Sequence, residues 1–243
     1  MKERLDVILV ERGIAASRER ARALIMEGKI LVNDAPVTKA GAMFTRDVGL
    51  AVRGGDIPYV SRGGLKLEAA IEHFGIDLDG AVAMDVGSST GGFTDCMLQK
   101  GARKIYCIDV GYGQLSWSLR NDARVVLFER TNIRHLDRKK VPEEIDFASI
   151  DVSFISLKKI LPKVAEFLGK SGEILALVKP QFEVGRGEVG KGGIVREEDK
   201  RLAAVDSVRA FAEGMGLKVS GEFRSPVPGQ KGNIEFFLLL RKP

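Results

Sequence analysis

Cysteine and histidine are scarce: the 243 residues contain only Cys96, Cys107, His73 and His135. Two cysteines behind an N-terminus, Met1-Lys2-Glu3-Arg4, that has no apolar leader argue against a disulfide-stapled secreted scaffold and for a reducing, cytoplasmic setting. A zinc centre cannot be built from two Cys and two His at these spacings without carboxylates. Long apolar runs are also missing. The longest are about five residues, such as 236–240, against the roughly 20 a membrane helix needs. Charge of one sign is not concentrated either. The net charge of +5 suits a nucleic-acid partner, but residues 1–56 hold ten Lys/Arg against eight Asp/Glu, so placement rather than total must decide. Nothing in the sequence calls for an obligatory protein partner.

What is present divides into two patterns. In residues 4–12, Leu5, Ile8 and Leu9 share one helical face, and Gly13 ends the run. Ser17 reads as the N-cap of a second helix with Ala21, Leu24 and Ile25 inward, closed by Gly28. Ile30–Val32, the turn Asn33-Asp34 and Ala35–Val37 read as a hairpin, with a further strand at 48–53. This small α+β domain is expected over 1–56, with a linker at 57–62 and a larger domain at 63–243. The larger domain opens with a helix from Gly63 to Phe74. Strands and helices then alternate: strands at 81–86, 104–108, 124–127, 145–150 and 173–178; helices at 92–100, 114–120, 157–168 and 197–215. That alternation predicts an α/β fold, a mostly parallel, Rossmann-like sheet with helices on both faces. The last strands, 217–223 and 233–240, are joined by a short connection and are expected to form a hairpin, which makes one strand antiparallel.

The segment Asp85-Val-Gly87-Ser88-Ser89-Thr90-Gly91-Gly92-Phe93 joins the first strand of this sheet to its helix, where doubly wound folds bind nucleotides. The dinucleotide pattern G-x-G-x-x-G is broken, because Ser89 sits where the second glycine belongs. A ligand without phosphate, with its carboxylate near the helix N-terminus, fits better. Asp109 ends the next strand, placed to accept two ribose hydroxyls, and Thr131-Asn132 follows the third, where an adenine edge would lie. A second glycine-rich stretch, 185–192, nearly spells a phosphate-binding loop. It ends in Gly192 instead of Ser or Thr, so the magnesium-ligating hydroxyl is missing, and a mobile loop near the site is the preferred reading.

Four polar residues stand at the edges of core elements: Lys66 in SRGGLKLEAA, Asp151 in SIDVSF, Lys179 in LVKPQF and Glu235 in GNIEFF. Taken singly, each suits a solvated or salt-bridged side chain. Together with YVSRGGLKLEAA, DVGSSTGGFTDC, DVGYGQL, IDVSFISL, VKPQFE and GKGGIVR, they make nearly the whole chain resemble the hemolysin-A-like rRNA methyltransferases, whose catalytic domain is FtsJ-like. The N-terminal unit resembles the RNA-binding domain first seen in ribosomal small-subunit protein four. The resemblance implies a Lys-Asp-Lys-Glu tetrad on Lys66, Asp151, Lys179 and Glu235. It implies S-adenosyl-L-methionine contacts at Asp85, Gly87, Ser88, Ser89, Gly91, Gly92, Phe93, Asp109, Asn132 and Asp151. It further implies 2′-O-methylation of cytidines in small- and large-subunit ribosomal RNA. Thr90 stands where the broader FtsJ-like pattern often has proline, and Asn132 where it often has aspartate.

In the reaction so implied, Lys179 is assigned as base or activator of the ribose 2′-oxygen and Lys66 as a neighbouring positive charge. Asp151 orients Lys179, and Glu235 orients Lys66. For RNA affinity the candidates are Arg12, Arg18, Arg20, Arg22 and Lys29; Arg18 and Arg22 share a helix face, and Glu19 and Glu27 weaken the patch. Two rivals were open: a membrane-lytic protein, opposed by the missing apolar spans, and an RNA-binding scaffold with an inactive site, opposed by the intact tetrad.

Overall fold

The computed structural model describes residues 2–15, 17–53, 57–185 and 187–242. The chain divides into two compact units, residues 1–58 and 59–243. The domain edge expected at residue 56 falls on 54–56, outside the described residues.

In the N-terminal unit, β1 (Lys2–Arg4) leads directly into α1 (Leu5–Glu11), followed by α2 (Arg18–Met26), β2 (Ile30–Val32), β3 (Ala35–Pro36), β4 (Met43–Thr45) and β5 (Leu50–Val52). Ser17 caps α2, its side-chain oxygen accepting from Arg20 N at 3.1 Å. Strand β2 is central in the order β3-β2-β5. The β2–β3 turn uses positive φ at Asn33 and Asp34, the backbone a two-residue hairpin requires. All six residues expected to face inward from the two helices are buried, and all but Ile8 share one core cluster with Ile30 and Val32 of β2. The β1–β4 pair was not anticipated: three-residue strands are too short to show alternation.

The second unit contains α3 (Gly63–Phe74), β6 (Val82–Val86), α4 (Gly92–Gln99), β7 (Lys104–Ile108), α5 (Trp117–Arg120), β8 (Val125–Phe128), β9 (Ile145–Ile150), α6 (Leu161–Ala165), β10 (Leu168–Val178), α7 (Pro180–Glu183), α8 (Glu198–Gly214), β11 (Lys218–Arg224) and β12 (Phe236–Arg241). Seven strands form one sheet in the order β11-β12-β10-β9-β6-β7-β8. Strand β12 is the antiparallel one, paired with β10 on one side and β11 on the other. Period-two alternation distributes each strand between two cores. Val82, Met84 and Val86 pack with α6 and α8 on one face, and Ala83 with α3 and α4 on the other. Among the described residues no helix is long and apolar enough to cross a membrane.

Two expected helices are corrected. The one expected at 114–120 is a single turn, Trp117–Arg120. The one expected at 157–168 breaks into a short 3-10 turn and α6, and β10 begins already at Leu168. Pro162 removes a backbone donor early in that stretch, and β10 continues through Gly169 and Gly172, which no apolar periodicity marks.

Two side chains buried beneath α3 and α4 carry measurable consequences. At Gly64 a Cβ would collide with the ring of Tyr59, which is buried and donates its hydroxyl to Glu68 Oε1 at 2.7 Å. We expect Gly64→Ala to lower stability by about 1–3 kcal/mol through overpacking, outweighing the roughly 0.5–1 kcal/mol that alanine gains over glycine in a helix. Urea denaturation measures this, and an unchanged midpoint would mean Tyr59 can yield. Asp85 is wholly buried on the α4 side, and among the described residues no cation is set against it. Thr94 Oγ1 donates to its Oδ2 at 2.6 Å and Ser149 Oγ to its Oδ1 at 3.4 Å. Burial raises its pKa to about 7; the Thr94 bond opposes the rise and the nearby Asp151 charge adds to it. The folded protein therefore keeps a proton that the unfolded chain, with an ordinary aspartate value of about 3.9, has already released. Stability contributed at this site falls as pH rises from about 4 to about 7 and is level above. Asp85→Asn should lose that pH dependence relative to the wild type in urea melts across the window; parallel curves would refute the assignment.

Candidate functional site

The β6–α4 turn is shaped by chain packing. Gly87 (φ +90°) and Gly91 (φ +97°) adopt backbone that L side chains rarely take. A Cβ at Gly87 would strike the Asp151 carbonyl, and one at Gly91 would strike Leu119 and Leu115. The glycines thus let this turn lie against the end of β9 and the α5 segment. Gly92 is similarly tight against Ser61. Ser88 Oγ is buried and has no hydrogen-bond partner among the described residues, an orphan acceptor and donor in the turn itself. Asp109 Oδ2 accepts from Ser89 N at 2.7 Å and Oδ1 from Gly111 N at 2.6 Å, so the second acidic loop is tied to the first. Asn132 caps a 3-10 turn, accepting from Arg134 N at 3.1 Å.

Not every residue expected at the turn lines it. Asp85 has no exposed surface and faces Thr94 and Ser149 instead. Phe93 is also buried, tilted against Phe237 with ring centroids 6.3 Å apart, and belongs to the core under α4. Both lie on inward positions of their elements, which proximity to a glycine-rich motif does not reveal.

The four tetrad candidates converge through strand register. Strand β10 matches Ala176 to Ile150 of β9 and Val178 to Phe236 of β12. Asp151 and Lys179 therefore follow the carboxyl ends of two neighbouring parallel strands, while Glu235 precedes the antiparallel strand entering beside them. Lys66 reaches this edge from α3: its Nζ donates to Glu235 Oε2 at 2.7 Å, with only 11% and 3% of the two side chains exposed. Lys179 Nζ lies 2.5 Å from Asp151 Oδ1 and donates to Ser153 Oγ at 3.1 Å. The first contact is an ion pair by distance, without the angles of a hydrogen bond. Each lysine thus has its own carboxylate. Backbone pairing of Asp151 N with Val86 O at 2.9 Å joins the tetrad to the glycine turn.

Three supporting residues escape sequence reasoning. Ser153 holds Lys179, yet the only signal is its place two residues after Asp151. Gly229 lets the β11–β12 connection lie on the Glu235 carboxyl, where a Cβ would collide. Glu183 accepts from Ser156 Oγ at 2.6 Å and Leu157 N at 2.7 Å, linking the segment after Lys179 to that after Asp151. Burial raises its pKa, against those two bonds. The glycine-rich stretch after β10 is tied to the β11–β12 connection through carbonyls. Its Gly192 and Gly193 carbonyls accept from Lys231 Nζ and Asn233 Nδ2, at 3.0 and 2.9 Å.

In the N-terminal unit, Arg18 and Arg22 both bind Asp6, as does Arg4. Arg12 donates to the carbonyls of Val48 and Arg46, serving the fold. Lys29 pairs with Glu27 at 3.1 Å, and Arg20 N bonds the Ser17 cap.

This architecture has close counterparts. Residues 59–242 match the model of the FtsJ-like methyltransferases, and residues 3–48 that of the S4 domain. The chain is 49% identical to a candidate rRNA methyltransferase, YqxC of Bacillus subtilis, over 100% of its own length and 86% of the relative's. It is 43% identical to the 16S/23S rRNA (cytidine-2′-O)-methyltransferase TlyA of Mycobacterium tuberculosis, over 99% and 90% of the two chains. A solved structure from Streptococcus thermophilus, described as a candidate hemolysin, superposes with a TM-score of 0.79 at 44% identity, covering 99% of this chain and 88% of that one. Its sheet, its glycine turn and these full-length likenesses agree: the chain belongs to the FtsJ-like methyltransferases that carry an S4 domain at the N-terminus.

Proposed function

We infer that this protein methylates the ribose 2′-oxygen of cytidine in ribosomal RNA, in the cytoplasm, with ribosomal subunits as partners. The observation that carries the reading is the meeting of two lysine–carboxylate pairs at the ends of β9, β10 and β12, joined through Asp151 to the glycine turn. When bound, S-adenosyl-L-methionine supplies an electrophilic methyl group on its sulfonium. The residues fit it. Ser88 Oγ is an unpartnered polar atom inside the turn. The Asp109 carboxylate accepts two amides, which leaves about two of its roughly four lone-pair sites for ribose hydroxyls. Gly87, Ser89, Gly91, Gly92 and Asn132 complete the proposed cofactor contacts.

A ribose hydroxyl is a weak acid, so its proton needs an acceptor as the oxygen attacks. Lys179, as the free amine, accepts that proton on Nζ; the ammonium so formed is the state that Asp151 and Ser153 hold. The nearly buried Lys66–Glu235 pair stands at the same edge and cannot reorganise freely, so its charges are preoriented. Alignment and fixed charge supply most of the acceleration in this reading.

Asp109→Ala should weaken S-adenosyl-L-methionine binding by about tenfold or more in calorimetry, the scale of hydrogen bonds to a charged group. Normal affinity would put the cofactor elsewhere. Lys179→Ala should fold and bind the cofactor but lose about 10²–10⁴-fold in single-turnover methylation of ribosomal subunits. Lys179→Arg should fail as well, since a guanidinium stays charged and has another shape. Retention by Lys179→Ala of more than about a tenth of the wild-type rate, above the general-base range, would exclude this role.

A further inference from the structure

Asp6 lies in the first turn of α1 with its carboxylate wholly buried. Four guanidinium nitrogens from three arginines converge on it. Arg4 donates from Nε to Oδ1 at 2.9 Å and from Nη2 to Oδ2 at 3.1 Å. Arg22 Nε and Arg18 Nη2 donate to Oδ2 at 3.0 and 3.2 Å. These bonds, Arg4's foremost, hold the Asp6 carboxyl well below the usual carboxylate range. The arginines themselves are not buried: their side chains remain 43%, 53% and 51% exposed.

We propose that Asp6 is a positioning residue for RNA: it holds Arg4, Arg18 and Arg22 as one three-guanidinium site for a backbone phosphodiester. This rests on the ribosomal-RNA reading above. A buried ion cluster built only for stability would bring its charges toward balance. Here one carboxylate faces three cations, and the surplus positive charge lies on the solvent side. Arg4 meets Asp6 with its Nε–Nη2 edge and Arg18 and Arg22 with one nitrogen each, and the planar fork suits bidentate phosphate contact. Anchoring long side chains before RNA arrives reduces the ordering cost of binding. Two other cations of the unit are engaged differently. Arg46 faces two carboxylates, Glu3 and Glu11, and Arg12 donates to two backbone carbonyls. Arg4 therefore joins the site, although it lies on β1, away from the α2 helix that carries Arg18 and Arg22, and Arg12 leaves it.

The test exploits a conflict of sign. Asp6→Asn makes the unit one charge more positive, so charge counting predicts tighter RNA binding and a steeper salt dependence. Positioning predicts the reverse: affinity of the full-length protein for unmethylated ribosomal subunits falls about tenfold and the log–log salt slope becomes shallower by about 1. The KM for subunits should rise while kcat and S-adenosyl-L-methionine affinity hold. Arg4→Gln should flatten the slope by about 1 and Arg12→Gln should leave it unchanged. Asp6→Asn binding as tightly as wild type, or more tightly, overturns the proposal. So does an Arg4→Gln slope equal to that of Arg12→Gln, which decides the matter even if Asp6→Asn melts before it can be titrated. Wild-type protein that neither binds nor methylates subunits would remove the ribosomal reading itself. Wild-type activity beside an Asp6→Asn variant of equal affinity would remove only the role of Asp6.

Discussion

Strand β10 is hydrogen-bonded parallel to β9 and antiparallel to β12, and the site depends on that mixed pairing. A parallel neighbour brings the residue after its own carboxyl end, Asp151, alongside Lys179. An antiparallel neighbour brings the residue before its amino end, Glu235, to the same edge. Were β12 parallel, its C-terminal residues, not Glu235, would stand there. The fold thus assembles three of its four charged side chains from backbone hydrogen bonds between strands, which are rigid and cooperative, and brings the fourth, Lys66, on helix α3. The other neighbour of β9 is β6, so the glycine turn after Val86 is held beside Asp151 by the same ladder. Pairing of the charged edge with the glycine turn is a property of the sheet.

Three buried carboxylates show how environment separates roles among chemically similar groups. Glu235 meets one nearly buried ammonium, Lys66, in a closed pair. Asp85 meets hydroxyl donors and the Thr94 backbone amide in a fully buried setting, and is shifted toward its neutral form. Asp6 meets three guanidinium groups and is held ionised. Desolvation acts on both Asp85 and Asp6; the partner decides the outcome. The closed pair suits a site that must not reorganise, the neutral acid suits a hydrogen-bonded support under a turn, and the overcompensated anion suits a surface that must remain positive.

Much of this was legible before any coordinates. Element type followed from periodicity wherever an element was long enough to repeat: α3, α8 and the strands β6, β7 and β9 lie where the pattern places them. The shorter pieces were not legible. The helix at 157–168 dissolved because an apolar run of that length is compatible with a broken helix followed by a strand. At the site, Asp151, Lys179, Glu235 and Asp109 were readable as polar residues at strand edges, and Lys66 as one in the helix before the first strand. Glycines were readable as a turn, but their physical reason was not: Gly87 and Gly91 make room for Asp151, Leu115 and Leu119, partners distant in sequence.

By itself the sequence determined which residues could form amphipathic helices and alternating strands, where the chain must turn, and which polar side chains stood at the ends of core elements. Those are local properties, carried by side-chain spacing and backbone preference. Tertiary structure alone decided the partners. Lys66 with Glu235 is a contact across 169 positions, and Lys179 could have met either carboxylate until β10 was set between β9 and β12. It also decided that Asp85 and Phe93 face the core, that Arg12 serves the backbone, and that Arg4, Arg18 and Arg22 share Asp6. Charge pairing depends on distances of a few ångströms between elements remote in the chain, and those distances exist only once the strands are registered and the helices packed.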